Sequence, residues 1–297
     1  MIPAEPDLGN ASEGSRHQPA SRAGRGSDQG SLPVPQPDLH DAIARLRAQA
    51  PLIHNITNYV VMNTTANALL AIGASPAMVH ALSEVEAFAP LAQALVINIG
   101  TLSPPWVEAM ERAALAANAA GVPFILDPVA AGATAYRTEV SLRLLTLRPA
   151  IVRGNASEIM ALAGETGAAG KGVDSTRGSE AARDAATTLA QRAKCVVAVT
   201  GAVDYVTDGA RITGIANGDP MLSRVTGTGC MATALCGAFL GAGLPPFDAA
   251  VAGLAAMGVA AERAIIGVKG PASFQVALID AFYNLGDAAL AAGMRLR

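Results

Sequence analysis

Through the middle of this 297-residue chain, short apolar runs alternate with longer helical stretches. The runs at residues 94–99, 123–126, 150–152 and 195–199 are apolar almost throughout, as expected of strands buried on both faces. Between them, residues 104–120, 138–147 and 178–193 carry helical patterning, the first opening on proline and stopped by Gly121. Upstream, residues 38–50 predict a helix, 51–58 a strand running into a polar turn, and 60–72 a second helix. Downstream, residues 203–206 and 211–215, joined by Asp208-Gly209, read as a hairpin. From Gly229 onward the chain reads as almost wholly helical. Buried strands joined by helices predict an α/β three-layer sandwich: a mostly parallel central sheet with helices on both faces.

Composition narrows the function. With 51% hydrophobic and 15% charged residues a large core is available, and 4% aromatics make it an aliphatic one. A net charge of −3 without a basic block argues against nucleic acid as a partner. Cys195, Cys230 and Cys236 form no metal-binding or disulfide pattern, which points to a reducing cytoplasm. The longest uncharged stretch, residues 225–247, is broken by glycines and a proline pair, so it reads as a buried helix plus loop and not as a membrane span. Residues 1–36, rich in Gly, Ser and Pro, are expected to be a disordered extension without a targeting signal. That leaves residues 37–297 as a single domain.

The chemistry gathers around Val225-Thr226-Gly227-Thr228-Gly229-Cys230, where two glycines precede an apolar helix. A helix N-terminus behind a glycine turn is an anion site, and Cys230 stands at the junction. In an open α/β sheet ligands bind beyond the strand C-termini. Asp127, Arg137, Asn155, Glu158 and Thr200 fall there with the glycine turn. Asp127 and Glu158 have the hard oxygens that Mg²⁺ prefers. Asn155 and Glu158, three residues apart at a helix start, fit a helix cap equally well. Arg137 reads either as a phosphate partner or as a surface charge. Asn63, Thr64, Thr65 and Asn67 on the second helix either satisfy one another and the backbone or face a ligand. His54 and His80 read as hydrogen-bonded scaffold. An anion site, a candidate Mg²⁺ site and a poised side chain together describe phosphoryl transfer.

Eight segments in order carry a resemblance to a known family. They are Leu52-Ile53-His54-Asn55-Ile56-Thr57-Asn58, Gly73-Ala74-Ser75-Pro76-Ala77-Met78, Asn98-Ile99-Gly100-Thr101-Leu102 and Leu126-Asp127-Pro128-Val129. Arg153-Gly154-Asn155-Ala156-Ser157-Glu158, Lys171-Gly172-Val173-Asp174, Val199-Thr200-Gly201 and Val225 to Cys230 follow, and the likeness runs on to about Gln275. This pattern resembles the hydroxyethylthiazole kinases, thiamine-salvage enzymes of the ribokinase-like superfamily. The resemblance implies ATP- and Mg²⁺-dependent phosphorylation of hydroxyethylthiazole by a homotrimer with active sites between subunits. It implies that Met78, Asn58 and Gly227 meet the thiazole and that Arg137 and Thr200 meet ATP. Asp127, Glu158 and Asn155 would organise Mg²⁺, with Gly227, Thr228, Gly229 and Cys230 forming the catalytic turn. Most of the superfamily has Asp where Cys230 stands; Cys is usual in thiazole kinases. A helix N-terminus is expected to lower the thiol's pKa, leaving Cys230 to accept or orient the hydroxyl proton. Two other readings share the architecture: a nucleotide-dependent repair dehydratase, against which Cys230 counts, and a non-catalytic nucleotide sensor.

Overall fold

The computed structural model describes residues 37–164 and 175–297, with the backbone alone for 175–179. The extension at residues 1–36 and the Lys171-Gly172-Val173-Asp174 segment lie outside the described residues. In chain order the first half contains α1 (Ala42–Gln49), β1 (Leu52–Ile56), α2 (Met62–Ile72), β2 (Ser75–Ala77), α3 (Val85–Phe88), β3 (Ala94–Asn98), α4 (Pro104–Ala119) and β4 (Phe124–Asp127). There follow α5 (Ala135–Thr146), β5 (Ile151–Asn155), α6 (Ala156–Ala163), α7 (Ser175–Ala193), β6 (Val196–Thr200), β7 (Asp204–Thr207) and β8 (Ile212–Ile215). The chain then runs through α8 (Thr228–Gly241), α9 (Pro246–Ala264), α10 (Pro271–Tyr283) and α11 (Asp287–Gly293).

The strands form one sheet in the order β2-β1-β3-β4-β5-β6-β7-β8. Pairing is parallel from β2 to β6 and antiparallel across β6, β7 and β8. Alternate residues of a strand point to opposite faces, and the sheet accordingly separates two apolar clusters. Ile53, Val96 and Ile125 pack on one face with α8 and α9, while Leu95, Ile97, Phe124 and Leu126 pack on the other with α4. The expected three-layer sandwich is therefore present. The chain leaves β1 toward β2 on one side and β3 on the other, so β1/β3 is a topological switch point, where α/β sheets bind ligands.

Three expectations shift. α1 begins at Ala42, because Asp41 adopts a left-handed φ of 53°. Its first amides, of Ile43 and Ala44, are capped from far away by the Asp287 carboxylate, at 2.8 and 3.0 Å. α5 begins three residues early, since the Thr134 hydroxyl accepts from the Arg137 amide and caps the helix. The C-terminal region is not helical to its end: Leu296 bridges to Ile215 at the edge of β8.

Candidate active site

α8 starts at the point where both halves of the site meet. Gly227, its N-cap, has φ +84°, and a Cβ there would lie 2.7 Å from Val61 Cγ1, so conformation and space both demand glycine. The first amides of a helix have no intrahelical partner, and in α8 they belong to Thr228, Gly229 and Cys230.

On one side of this turn lies a dry polar network. Register sets Asn98 of β3 beside Asp127 of β4. Asn98 Nδ2 donates to Asp127 Oδ2 at 2.7 Å, and Asn98 Oδ1 accepts from Asn58 Nδ2 at 2.8 Å. Thr233, one turn beyond Cys230, donates to the same Asp127 oxygen at 2.8 Å. Asn58 Nδ2 also reaches Cys230 Sγ at 3.6 Å. Asn58, Asn98, Asp127 and Thr233 are each at most 4% exposed. Burial outweighs the Arg153 charge and the hydrogen bonds and pushes Asp127 up to about 6. Its two side-chain partners both sit on Oδ2.

On the other side is a cleft of about 710 Å³, lined by Arg153, Asn155, Thr200, Gly201, Thr228 and Gly229 among others. That volume suits a nucleotide-sized ligand. Register again does the placing, with Asn155 of β5 beside Thr200 of β6. Arg153 donates to Thr200 Oγ1 at 2.7 Å. A Cβ on Gly229 would lie 2.9 Å from the Arg153 guanidinium, so this glycine lets the cation close on the α8 N-terminus. Asp204, on the same wall, is raised to about 6 by burial, against the opposing pull of the Gly201 amide and Arg153.

Of the residues singled out from sequence, Asp127, Asn58 and Cys230 share the dry network, and Asn155, Thr200, Thr228 and Gly229 share the cleft. Asn155 and Glu158 form a capping box: Asn155 Oδ1 accepts from the Glu158 amide at 3.0 Å, and Glu158 Oε2 from the Asn155 amide at 2.7 Å. Glu158 Oε1 accepts from the Ala130 amide at 2.8 Å, and its charge helps raise Asp127. Met78 follows β2 and is half-buried, beside the end of β1. On α2, Asn63 and Asn67 are exposed and bond each other at 3.1 Å, and Thr64 donates to the Val61 carbonyl. The self-satisfying reading holds for these three, whereas the buried Thr65 hydroxyl has no partner. His54 is scaffold, with Nε2 donating to the Val79 carbonyl at 2.7 Å; His80 stacks on Trp106 at 4.1 Å.

Cys230 departs from expectation, and Arg137 has partners that the sequence did not suggest. The Arg137 guanidinium is committed to the carbonyls of Ile99, Val129 and Gly100 at 2.9, 3.0 and 2.9 Å, bracing two loops. Arg153, quoted above within a motif but given no role, is the cation that faces the cleft. Its signal was its place directly after the apolar run at 150–152, and Asn98 likewise stands near the end of the run at 94–99. The Cys230 thiol is pushed up to about 11 by burial and by Asp127 beside it, and is not lowered. A helix N-terminus is worth about 0.3–1 kcal/mol, less than one pKa unit, so burial prevails. Cys230 is a neutral thiol at physiological pH.

Among the described residues no group of three or more His, Cys, Asp or Glu side chains is set to hold a metal ion. Mg²⁺ characteristically takes one or two carboxylates, with waters and substrate phosphates completing the shell. Asp127 and Glu158, close enough to couple electrostatically, have donor chemistry that fits.

The model of the Hydroxyethylthiazole kinase family matches residues 43–288. The chain belongs to that family. It is 59% identical to a hydroxyethylthiazole kinase of Granulibacter bethesdensis over 245 residues, 82% of this chain and 89% of the relative. Another hydroxyethylthiazole kinase, from Cereibacter sphaeroides, is 56% identical over 252 residues, 84% of this chain and 95% of the relative. The solved hydroxyethylthiazole kinase protein of Pyrococcus horikoshii superposes with a TM-score of 0.80 at 47% identity, covering 86% and 96% of the two chains. A pyridoxal kinase of Staphylococcus aureus, solved with AMP-PCP and pyridoxal, has a TM-score of 0.55 at 18% identity, covering 71% and 87%, and shares the ribokinase-like fold.

Proposed function

We propose that this chain transfers the γ-phosphoryl group of ATP to the primary hydroxyl of 4-methyl-5-(2-hydroxyethyl)thiazole, with Mg²⁺, in thiamine salvage. The observation that carries the reading is the position of the α8 N-terminus, between a nucleotide-sized cleft and a buried polar network in a chain of this family. Phosphoryl transfer asks a protein mainly for positioning and charge stabilisation, and this turn offers unpaired amides beside a guanidinium.

In this reading Arg153 and Thr200 hold the phosphate chain in the cleft, and the Gly227–Cys230 turn receives the transferring group. Arg137 acts on ATP only indirectly, by bracing the loops after β3 and β4. Met78, Asn58 and Gly227 bound the thiazole. Cys230, protonated, orients the acceptor hydroxyl and is not a thiolate base. Asp127 and Glu158, with Asn155 shaping the helix start, hold Mg²⁺ directly or through water. When bound, the metal neutralises charge on the phosphates.

The catalytic unit is taken as one domain from residue 37 onward, working in the cytoplasm as a homotrimer. Tyr59, Val60 and Leu70, at 63, 62 and 59% exposure around the acceptor side, are apolar surface that a neighbouring subunit would cover. The free cysteines suit a reducing compartment. Among the described residues no helix is long and apolar enough to cross a membrane.

The test is mass spectrometry of a reaction containing the protein, ATP, Mg²⁺ and the thiazole alcohol. A Mg²⁺-dependent product heavier by one phosphoryl group is expected. ATP consumed with the thiazole unchanged overturns the substrate, and no turnover at all overturns the kinase reading.

A further inference from the structure

The far wall of the cleft is a loop, residues 216–219, and the C-terminal end of the chain is what fastens it. Asn217 and Gly218 line the cleft. Asn217 Nδ2 donates to the Gly293 carbonyl at 2.8 Å and lies 3.2 and 3.3 Å from the two Glu262 oxygens. Its Oδ1 accepts from the Arg295 amide at 2.7 Å. The Gly218 amide donates to Glu262 Oε1 at 2.7 Å. Arg295 closes the circuit: its guanidinium reaches both Glu262 oxygens, at 2.9 and 2.5 Å, and the Ala216 carbonyl at 2.8 and 3.2 Å. Backbone pairing continues outward, with the Ala216 amide donating to the Arg295 carbonyl and Gly214 exchanging two bonds with Arg297, all at 2.9 Å. Behind the loop, Gly258 of α9 packs so closely that a Cβ there would lie 2.5 Å from Asn217 Cβ.

An isolated surface ion pair contributes little. This pair differs in what it grips: a cleft-lining asparagine only 9% exposed and a glycine at φ +134°. Arg295 also lies beyond residues 43–288, so the family match does not cover it. Neither Glu262 nor Arg295 lines the cleft; both act through Asn217 and Gly218.

We infer that Glu262 and Arg295 are positioning residues for the nucleotide: the C-terminal segment is a clasp that holds residues 216–219 in the shape that receives a nucleoside di- or triphosphate. The inference rests on reading this cleft as the nucleotide site. Releasing the clasp adds a loop-ordering cost to nucleotide binding and leaves the acceptor side, across α8, untouched.

The experiment is titration calorimetry with ADP, alongside steady-state kinetics, on Glu262→Ala, Arg295→Ala and Glu262→Gln, each checked for cooperative melting. The Kd for ADP and the KM for ATP are expected to rise about fivefold to tenfold in both alanine variants. The Glu262→Gln variant keeps an acceptor for the Gly218 amide and is expected to stay within about threefold of wild type. In all three, kcat and the KM for the thiazole alcohol should hold within about twofold. An unchanged ADP Kd in a cooperatively folded Glu262→Ala protein overturns the clasp, and so does a parallel loss in kcat and both KM values. Wild-type protein that binds ADP yet phosphorylates no thiazole defeats the proposed substrate and leaves the clasp standing on its Kd values.

Discussion

The two walls that meet at α8 are built on opposite plans. The wall around Asp127 is dry: Asn58, Asn98, Asp127 and Thr233 are closed off from solvent and bond chiefly to one another. The wall around Arg153 is open, with Asn155 and Gly201 exposed and Arg153 and Thr200 half-buried. Low dielectric strengthens every interaction in the first wall and makes any unpaired group there costly. The second wall offers replaceable contacts around one cation. A change to the dry wall should therefore strike turnover, and a change to the open wall should strike nucleotide affinity.

The largest expected effect comes from Asp127→Asn, which preserves shape and removes the charge. Losing one preorganised electrostatic group costs about 10²–10³-fold in kcat, and steady-state kinetics at saturating ATP should show a fall of that size. A kcat within threefold of wild type would remove Asp127 from the chemistry.

Next comes Arg153→Met, for which kcat/KM for ATP should drop about 10²-fold. Its natural control is Arg137→Met. That change orphans three carbonyl contacts and should cost about 1–3 kcal/mol of stability, seen as a lowered Tm, with the ATP KM nearly unchanged. An inverted result, with Arg137 setting the ATP KM and Arg153 silent, would restore the role that the sequence suggested for Arg137.

Cys230→Ala should be milder. A thiol near 11 is protonated at neutral pH, so the 10²–10⁴-fold of a true general base is not at stake. A loss in kcat of about tenfold or less is expected, and a loss beyond about 10³-fold would show a base after all.

The smallest effect is on stability. Asp127 is raised to about 6 in the folded protein from an ordinary 3.8. The folded form thus holds the proton more tightly, and this group's contribution is fully present below pH 3.8 and lost as pH rises through 6. Wild-type Tm minus Asp127→Asn Tm should therefore decrease between pH 4 and pH 7. A difference that grows over that range contradicts the buried setting of the carboxylate.

Much of this was readable from the chain. Uniformly apolar runs between helices specify a parallel sheet, and polar residues at strand ends marked Asp127, Asn155 and Thr200. The choice between Arg137 and Arg153 was not readable, because only three-dimensional packing shows which guanidinium is taken up by carbonyls. Nor was the Cys230 pKa: its helix position pointed down, while the burial that outweighs it depends on distant parts of the chain that meet there, Asn58, Asn98 and Asp127 among them. Local signals likewise misplaced the start of α1, whose cap comes from Asp287, 244 residues away.

The division of labour is tested most directly by ADP affinity in EDTA for wild type, Asp127→Asn and Arg153→Met. Removing divalent metal separates the walls' own contributions. The expected result is a Kd within about twofold of wild type for Asp127→Asn and weaker by about tenfold or more for Arg153→Met. Equal weakening in both variants, or weakening in Asp127→Asn alone, would contradict a site divided at the start of α8.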